Sequence, residues 1–447
     1  MNSVSAAIAA LSPLPAGPHG LASARPEPDL AAHGHTEVEY LAGGRATSYR
    51  SLTEPALRAD GRFALTADAE ADFTTRVVVR RPVAERFSGT LVVEWLNVSS
   101  GLDAAPGWIY AGEEVLRSGH AWAGVSVQHA GVEGGGRSVA VGGMPPPPGL
   151  RGADPERYGA LHHPGDAFAY DIYTQVARAV RELTGARRLI AMGESQAATC
   201  LTTYANGVQP ITGLADGFLL HSRLGVAAPL GEPGLPISLE EARTGPAVAV
   251  RDDLVVPVLI LQAEGDLFDR IGYLPARQPD GEWLRLWEVA GAAHADRYLI
   301  GEFEEFLGCD VPVNRGQQWA VVRAALRALD TWVRDGVAAP SAARLETTSD
   351  GFATDEHGLV RGGVRTPVVD VPVEVVSGRV WPGASVACGL FGSSTPLAGP
   401  APYESRADYL ARYEAACDAM ISAGFALADD RADLLAEARA DLVATDV

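Results

Sequence analysis

Short apolar runs recur along the first two thirds of the chain. They are Arg76 to Val79, Thr90 to Trp95, Ala123 to Val127, Leu189 to Met192, Gly217 to Leu220, Val256 to Leu261 and Leu284 to Val289. Most are rich in leucine or β-branched residues, and Gly, Pro or charge bounds them. Apolar runs without polar alternation predict strands of a parallel sheet covered on both faces. Helical spacing lies between them. Ala167 to Leu183 carries Phe168, Ile172, Val176, Ala179 and Val180 on one stripe and ends near Gly185. Ser195 to Tyr204 is short and rich in small residues. Gln317 to Val333 places Trp319, Val322, Leu326, Leu329 and Val333 together and stops at Gly336. This alternation predicts an α/β fold, with a mostly parallel central sheet and helices on both faces.

Two segments break the rhythm. Residues 131–165 are dense in Gly and Pro, and residues 222–253 have little periodicity. Long irregular inserts in a compact α/β domain serve as functional loops or lids. Residues 1–36 read as an N-terminal tail, loose over Met1 to Ala24, and residues 37–447 as one domain. Its C-terminal extension, 340–447, reads as extended over Arg365 to Val376 and as two or three helices over Tyr403 to Leu442. No apolar run reaches the roughly 18 residues of a membrane span. The first basic residue is Arg25, so the charged start of a secretory signal is not expected, and a cytoplasmic location is.

Charge narrows the function classes. The chain has 56 acidic and 36 basic residues, a formal charge of −20. That disfavours nucleic-acid and anionic-membrane partners. Every basic residue is arginine, which excludes a lysine Schiff base and a P-loop. Cys200, Cys309, Cys388 and Cys417 are far apart and form no C-x-x-C pair. Paired-cysteine zinc sites and a dense disulfide framework are excluded. One long-range bridge is compatible with the spacing, but buried free thiols are the expectation.

The chemistry centres on Gly193-Glu194-Ser195-Gln196-Ala197. A serine with small residues two positions either side suits a tight strand-to-helix turn. An apolar strand runs into this one and a helix runs out. The Gln196 amide at the helix start then serves as an oxyanion donor. A serine nucleophile needs a base, and the base an orienting acid. Downstream, one strand leads into Glu264-Gly265-Asp266 and the next into Gly291-Ala292-Ala293-His294. Both candidates sit at carboxyl ends of strands, where the active groups of open sheets gather. Ser195, Asp266 and His294 are therefore the expected triad. Asp266 could instead cap a helix, His294 could be an ordinary loop histidine, and Glu264 is the alternative acid. The second oxyanion donor is expected at the Val98 amide, with Asn97 shaping its loop. Tyr158 and His221 are expected to line the pocket, His221 more in support than in catalysis. His162-His163 has no acidic partner at metal-binding spacing, so no metal is expected.

These motifs, together with Glu94 to Ser99, Asp154 to Gly159, His163 to Asp166, Tyr170 to Ile172 and Gly291 to Asp296, resemble the bacterial and fungal alpha/beta hydrolase domain proteins. Cys309 to Asn314, Gly362 to Pro367 and Tyr409 to Ala416 extend the resemblance, so it covers most of the chain. It implies an α/β-hydrolase fold and Ser195 as nucleophile, and it puts the helical C-terminal extension in the same domain; the two irregular inserts are expected to be lid-like. It implies no particular substrate. The expected activity is hydrolysis of a small-molecule carboxylic ester through an acyl-enzyme, with no cofactor. Amide or lactone hydrolysis, or acyl transfer, could use the same triad. A non-catalytic binding protein on the same fold is the alternative class. Oligomeric state is left open.

Overall fold

The computed structural model describes residues 7–17, 20–139, 145–349, 351–379 and 383–443. Nine strands form one sheet. They are β1 (Ala10–Pro13), β2 (His35–Ser51), β3 (Leu65–Pro82), β4 (Thr90–Trp95), β5 (Ala121–Val125), β6 (Arg188–Glu194), β7 (Gly217–His221), β8 (Val258–Ala263) and β9 (Leu284–Val289). Their order is β1-β2-β3-β5-β4-β6-β7-β8-β9, antiparallel as far as the β3–β5 pair and parallel from β5 to β9.

Alternate residues of the central strands face opposite layers, as the two-residue period requires. Leu91, Val93 and Trp95 of β4 join Ile172, Val176 and Val180 of helix α2 (Ala169–Thr184). Val92 and Leu96 join Ala111 and Val115 of α1 (Pro106–Arg117) on the other face. The same layer holds Leu326 and Leu329 of a longer helix, Gln318–Asp335. The expected mostly parallel sheet with helices on both faces is thus present. Arg76 and Arg80 are buried within it and paired with carboxylates. Arg76 meets Asp103 at 2.6 Å and Glu39 at 3.4 Å, and Arg80 meets Glu37 at 2.7 Å.

Several expectations shift. β2 and the first half of β3 show no apolar run, because charged residues such as Glu37, Arg45, Asp68, Glu70 and Asp72 alternate along them. The segment read as a loose tail contributes β1, which satisfies the outer edge of β2; Met1 to Ala6, Pro18 and His19 lie outside the described residues. The expected strand from Val256 begins two residues later, since Pro257 has no N–H for the ladder. Arg365 to Val376 is a helical turn at Pro367–Asp370 followed by β10 (Glu374–Ser377), which pairs with β11 (Ser393–Pro396). The helix Arg406–Ser422 packs Tyr409, Tyr413, Cys417 and Met420 into the layer holding Trp287 and Trp319. Cys309 and Cys388 are disulfide-bonded, against the expectation of free thiols, with Cα atoms 5.6 Å apart. Cys200 and Cys417 are free and buried.

Candidate active site

Ser195 stands where β6 turns into helix α3 (Gln196–Thr203). A Cβ at Gly193 would lie 2.9 Å from the Ala197 carbonyl carbon and 3.0 Å from the Ala198 nitrogen. Glycine there lets the helix close onto the strand. Ser195 has φ 57° and ψ −117°, a conformation that non-glycine residues rarely hold without support. Part of that support is its N–H, which donates to the His221 carbonyl of β7 at 2.9 Å.

The loops after β8 and β9 bring the other two groups to it. His294 Nε2 lies 2.8 Å from Ser195 Oγ, and Nδ1 lies 2.6 Å from Asp266 Oδ1. Asp266 Oδ2 accepts the Ala263 N–H at 2.7 Å, which fixes the carboxylate plane. All three side chains are buried, and Ser195 is 9 % exposed. Burial disfavours the imidazolium, but the charge and hydrogen bond of Asp266, with help from Glu194, outweigh it and raise the His294 pKa above 6.5.

Glu264, the alternative acid, faces elsewhere. It accepts the Gly291 N–H at 2.8 Å, the Ser377 hydroxyl at 2.9 Å and the Gly378 N–H at 3.0 Å. It therefore pins the His294 loop to the C-terminal extension. Burial pushes its pKa up to about 7 against those hydrogen bonds. Asn314 makes a second tie, donating to the carbonyls of Gly291 at 2.7 Å and Ser377 at 3.0 Å.

The two amides expected as oxyanion donors differ in what they meet. Gln196 is the first residue of α3, so its N–H has no intrahelical acceptor. The Val98 N–H is already engaged, donating to the Gln196 side-chain oxygen at 3.2 Å. Asn97 bonds within this loop and to Glu194. Its Oδ1 accepts the Ser99 N–H at 2.7 Å, and its Nδ2 donates to the Glu194 carbonyl at 3.1 Å and carboxylate at 3.2 Å.

A cavity of about 20 Å³ adjoins Ser195 and His294, room for roughly one water. Ser138 and Val139 of the first insert and Leu224, Leu239 and Arg243 of the second line it, so both inserts reach the site. Residues 140–144 of the first insert lie outside the described residues. Arg270, Ile271 and Leu390 complete the far wall. Two residues expected at the pocket are elsewhere. Tyr158 is buried in a separate apolar cluster, its hydroxyl donating to Glu39 at 2.7 Å, because the Arg157–Glu39 ion pair draws that turn to β2. The His221 ring packs behind the site on Gln318, 3.3 Å away, and edge-on to Tyr110. Its backbone, rather than its ring, serves Ser195.

Sequence reading missed Glu194, Arg243, Arg270 and Leu390. Glu194 was visible as an acid beside the nucleophile. Its Oε1 lies 3.5 Å from His294 Nε2, and burial pushes its pKa up to about 7 despite the opposing pull of His294. Arg243 ends one short helix, Leu390 lies in another (Val386–Phe391) and Arg270 lies in a turn, and no local pattern marks any of them as a wall residue.

Residues 10–436 match the sequence model of a family described as alpha/beta hydrolase domain. No match was found among curated proteins. Among solved structures, a serine hydrolase from Xanthomonas campestris described as having no lid is 12 % identical. That alignment covers 57 % of this chain and 88 % of the other, with a TM-score of 0.31. Est1E from Butyrivibrio proteoclasticus, solved with ferulic acid bound, is 11 % identical over 58 % of this chain and 96 % of its own, with a TM-score of 0.33.

Proposed function

The chain belongs to the alpha/beta hydrolase domain family, and on that footing we propose that it is a serine hydrolase cleaving a carboxylic ester through an acyl-enzyme. The observation carrying this reading is the unbroken hydrogen-bond chain from Ser195 Oγ through both nitrogens of His294 to Asp266. Ser195 Oγ attacks the ester carbonyl carbon while His294 Nε2 takes its proton. Asp266 holds the tautomer with its proton on Nδ1 and stabilises the imidazolium that forms. The Gln196 N–H, and the Val98 N–H once its Gln196 side-chain partner moves aside, receive the oxyanion. His294 then returns the proton to the leaving alcohol, and water resolves the acyl-enzyme by the same steps in reverse order. The inserts that reach Ser195 are placed to set which esters enter.

The test is labelling by a fluorophosphonate, with turnover of aryl esters graded by acyl length. Expected are a covalent adduct on Ser195, none in Ser195→Ala, and hydrolysis that depends on chain length. An unlabelled wild-type protein without esterase activity would refute the reading. The Cys309–Cys388 bridge favours an oxidising compartment over the cytoplasm. No helix among the described residues is long and apolar enough to cross a membrane.

A further inference from the structure

Two guanidinium groups, those of Arg243 and Arg270, line the same small cavity as Ser195 and His294. Arg243 follows the short helix Leu239–Ala242 of the second insert, and Arg270 follows the Asp266 turn. Both are largely removed from solvent. The carboxylate beside them is that of Glu240, about half exposed, which pairs with Arg270 and lies 3.4 Å from Arg243 Nε. Arg243 also donates to the Arg270 carbonyl, and Arg270 to the Ser138 carbonyl at 3.2 Å. Arg243 Nε is buried and makes no hydrogen bond. Burial first, and then the charge of Arg270, lower the Arg243 pKa from its ordinary value.

The buried Arg76 of the sheet is matched differently. It and Arg157 have two buried carboxylates between them, Asp103 and Glu39. At the cavity, two cations share one solvent-facing carboxylate, in a chain whose net charge is −20. Asp269 does not redress the balance, because it is paired with Arg379 at 2.9 Å. Asp266 is held by His294, and Glu194 lies against the same ring. The remaining lining sets Leu224, Leu239, Ile271 and Leu390 beside the polar Ser99, Ser138 and Gln196. Partly desolvated guanidinium forks beside these leucine and isoleucine side chains suit a planar anion at the end of a short carbon chain.

We infer that the ester this site cleaves carries a free carboxylate, which Arg243 and Arg270 hold while the scissile carbonyl lies at Ser195. This inference rests on the hydrolase reading above. It makes the substrate a half-ester of a dicarboxylic acid or an ester of comparable charge, rather than a neutral lipid-like ester.

The experiment compares two p-nitrophenyl esters of matched chain length, one of glutaric acid with its second carboxyl free and one of valeric acid. Full-length wild type, Arg243→Gln, Arg243→Lys and Arg270→Gln are assayed at low ionic strength. The readout is the ratio of the two kcat/KM values, which cancels any shared effect of a variant on the machinery. Wild type should favour the carboxylate ester about tenfold or more, the scale of one charge-assisted hydrogen bond. The ratio should fall towards one in both glutamine variants and stay above it in Arg243→Lys. A wild-type ratio of one or less, or a ratio unmoved in both glutamine variants, overturns the inference. If that happens while the valerate ester turns over and Ser195 labels with fluorophosphonate, the hydrolase reading survives. If neither ester turns over and Ser195 does not label, the hydrolase reading fails and takes the inference with it.

Discussion

Replacing Gln196 with alanine should make the enzyme faster. In the free protein the Gln196 side-chain oxygen accepts the Val98 N–H at 3.2 Å. An oxyanion that uses the Val98 amide must first displace that bond. A neutral hydrogen bond contributes about 0.5–1.5 kcal/mol net. Removing it from the ground state alone lowers the barrier by that amount, a gain of about 2- to 12-fold in kcat/KM. The backbone N–H of residue 196 is retained, and α3 should be undisturbed, because alanine is the stronger helix former. The truncation also enlarges a cavity of only about 20 Å³. The assay is kcat/KM on a small aryl ester near pH 8, normalised to Ser195 content by fluorophosphonate titration. Gln196→Glu is the opposing control. Its carboxylate should bind the Val98 amide more tightly and repel the developing negative charge, lowering kcat/KM about tenfold or more. A fall in Gln196→Ala of tenfold or more, with its fold intact by circular dichroism, would refute the reasoning. It would mean that the side chain acts in the transition state rather than obstructing it.

Ser195→Ala should lose about 10³-fold or more in turnover while folding normally, measured on the same esters. Asp266→Asn should lose about 10⁴-fold in kcat by favouring the wrong imidazole tautomer. Glu264→Gln should act mainly on stability, costing about 1–3 kcal/mol in urea unfolding by weakening its ties to Gly291, Ser377 and Gly378. Because the His294 pKa is raised above 6.5, kcat/KM should climb with pH through a midpoint above that value. The same shift stabilises the fold fully below about pH 6.5 and loses its effect as pH rises through the folded-state pKa, so activity and this stability contribution run in opposite directions. Reducing Cys309–Cys388 opens a loop of sequence separation 79 and should cost about 4–5 kcal/mol on chain-entropy grounds, read as a lower urea midpoint with dithiothreitol.

The parallel core was legible because β4 and β6 to β9 are largely buried on both faces and so are mostly apolar, with Glu94 and Glu288 as buried exceptions. β2 escaped because half of its surface is wet, and alternation with many charges resembles loop. Ser195, Asp266 and His294 were legible because each follows closely on the end of an apolar run. The pocket wall was not, since its residues share no element. Tyr158 shows the converse error. An aromatic in a Gly- and Pro-rich insert looks available for substrate, but Arg76, Arg157 and Glu39 claim it, and its hydrogen bond to Glu39 spans 119 positions. Long-range ion pairs leave no local periodicity to read.

The wall residue Leu390 and the Glu264 ligands Ser377 and Gly378 lie roughly 100 residues beyond His294 in the chain. During synthesis at about 5–20 residues per second, the ribosome takes about 5–20 s to cross that distance. For that interval a nascent chain can hold all three triad residues while its site lacks a side. Its His294 loop is without the Ser377 and Gly378 ties, Cys309 has no partner, and the apolar face that later meets Tyr409 and Tyr413 is bare. Activity should therefore switch on only after the last quarter of the chain has been released. C-terminal truncations should leave proteins that keep the nucleophile but aggregate.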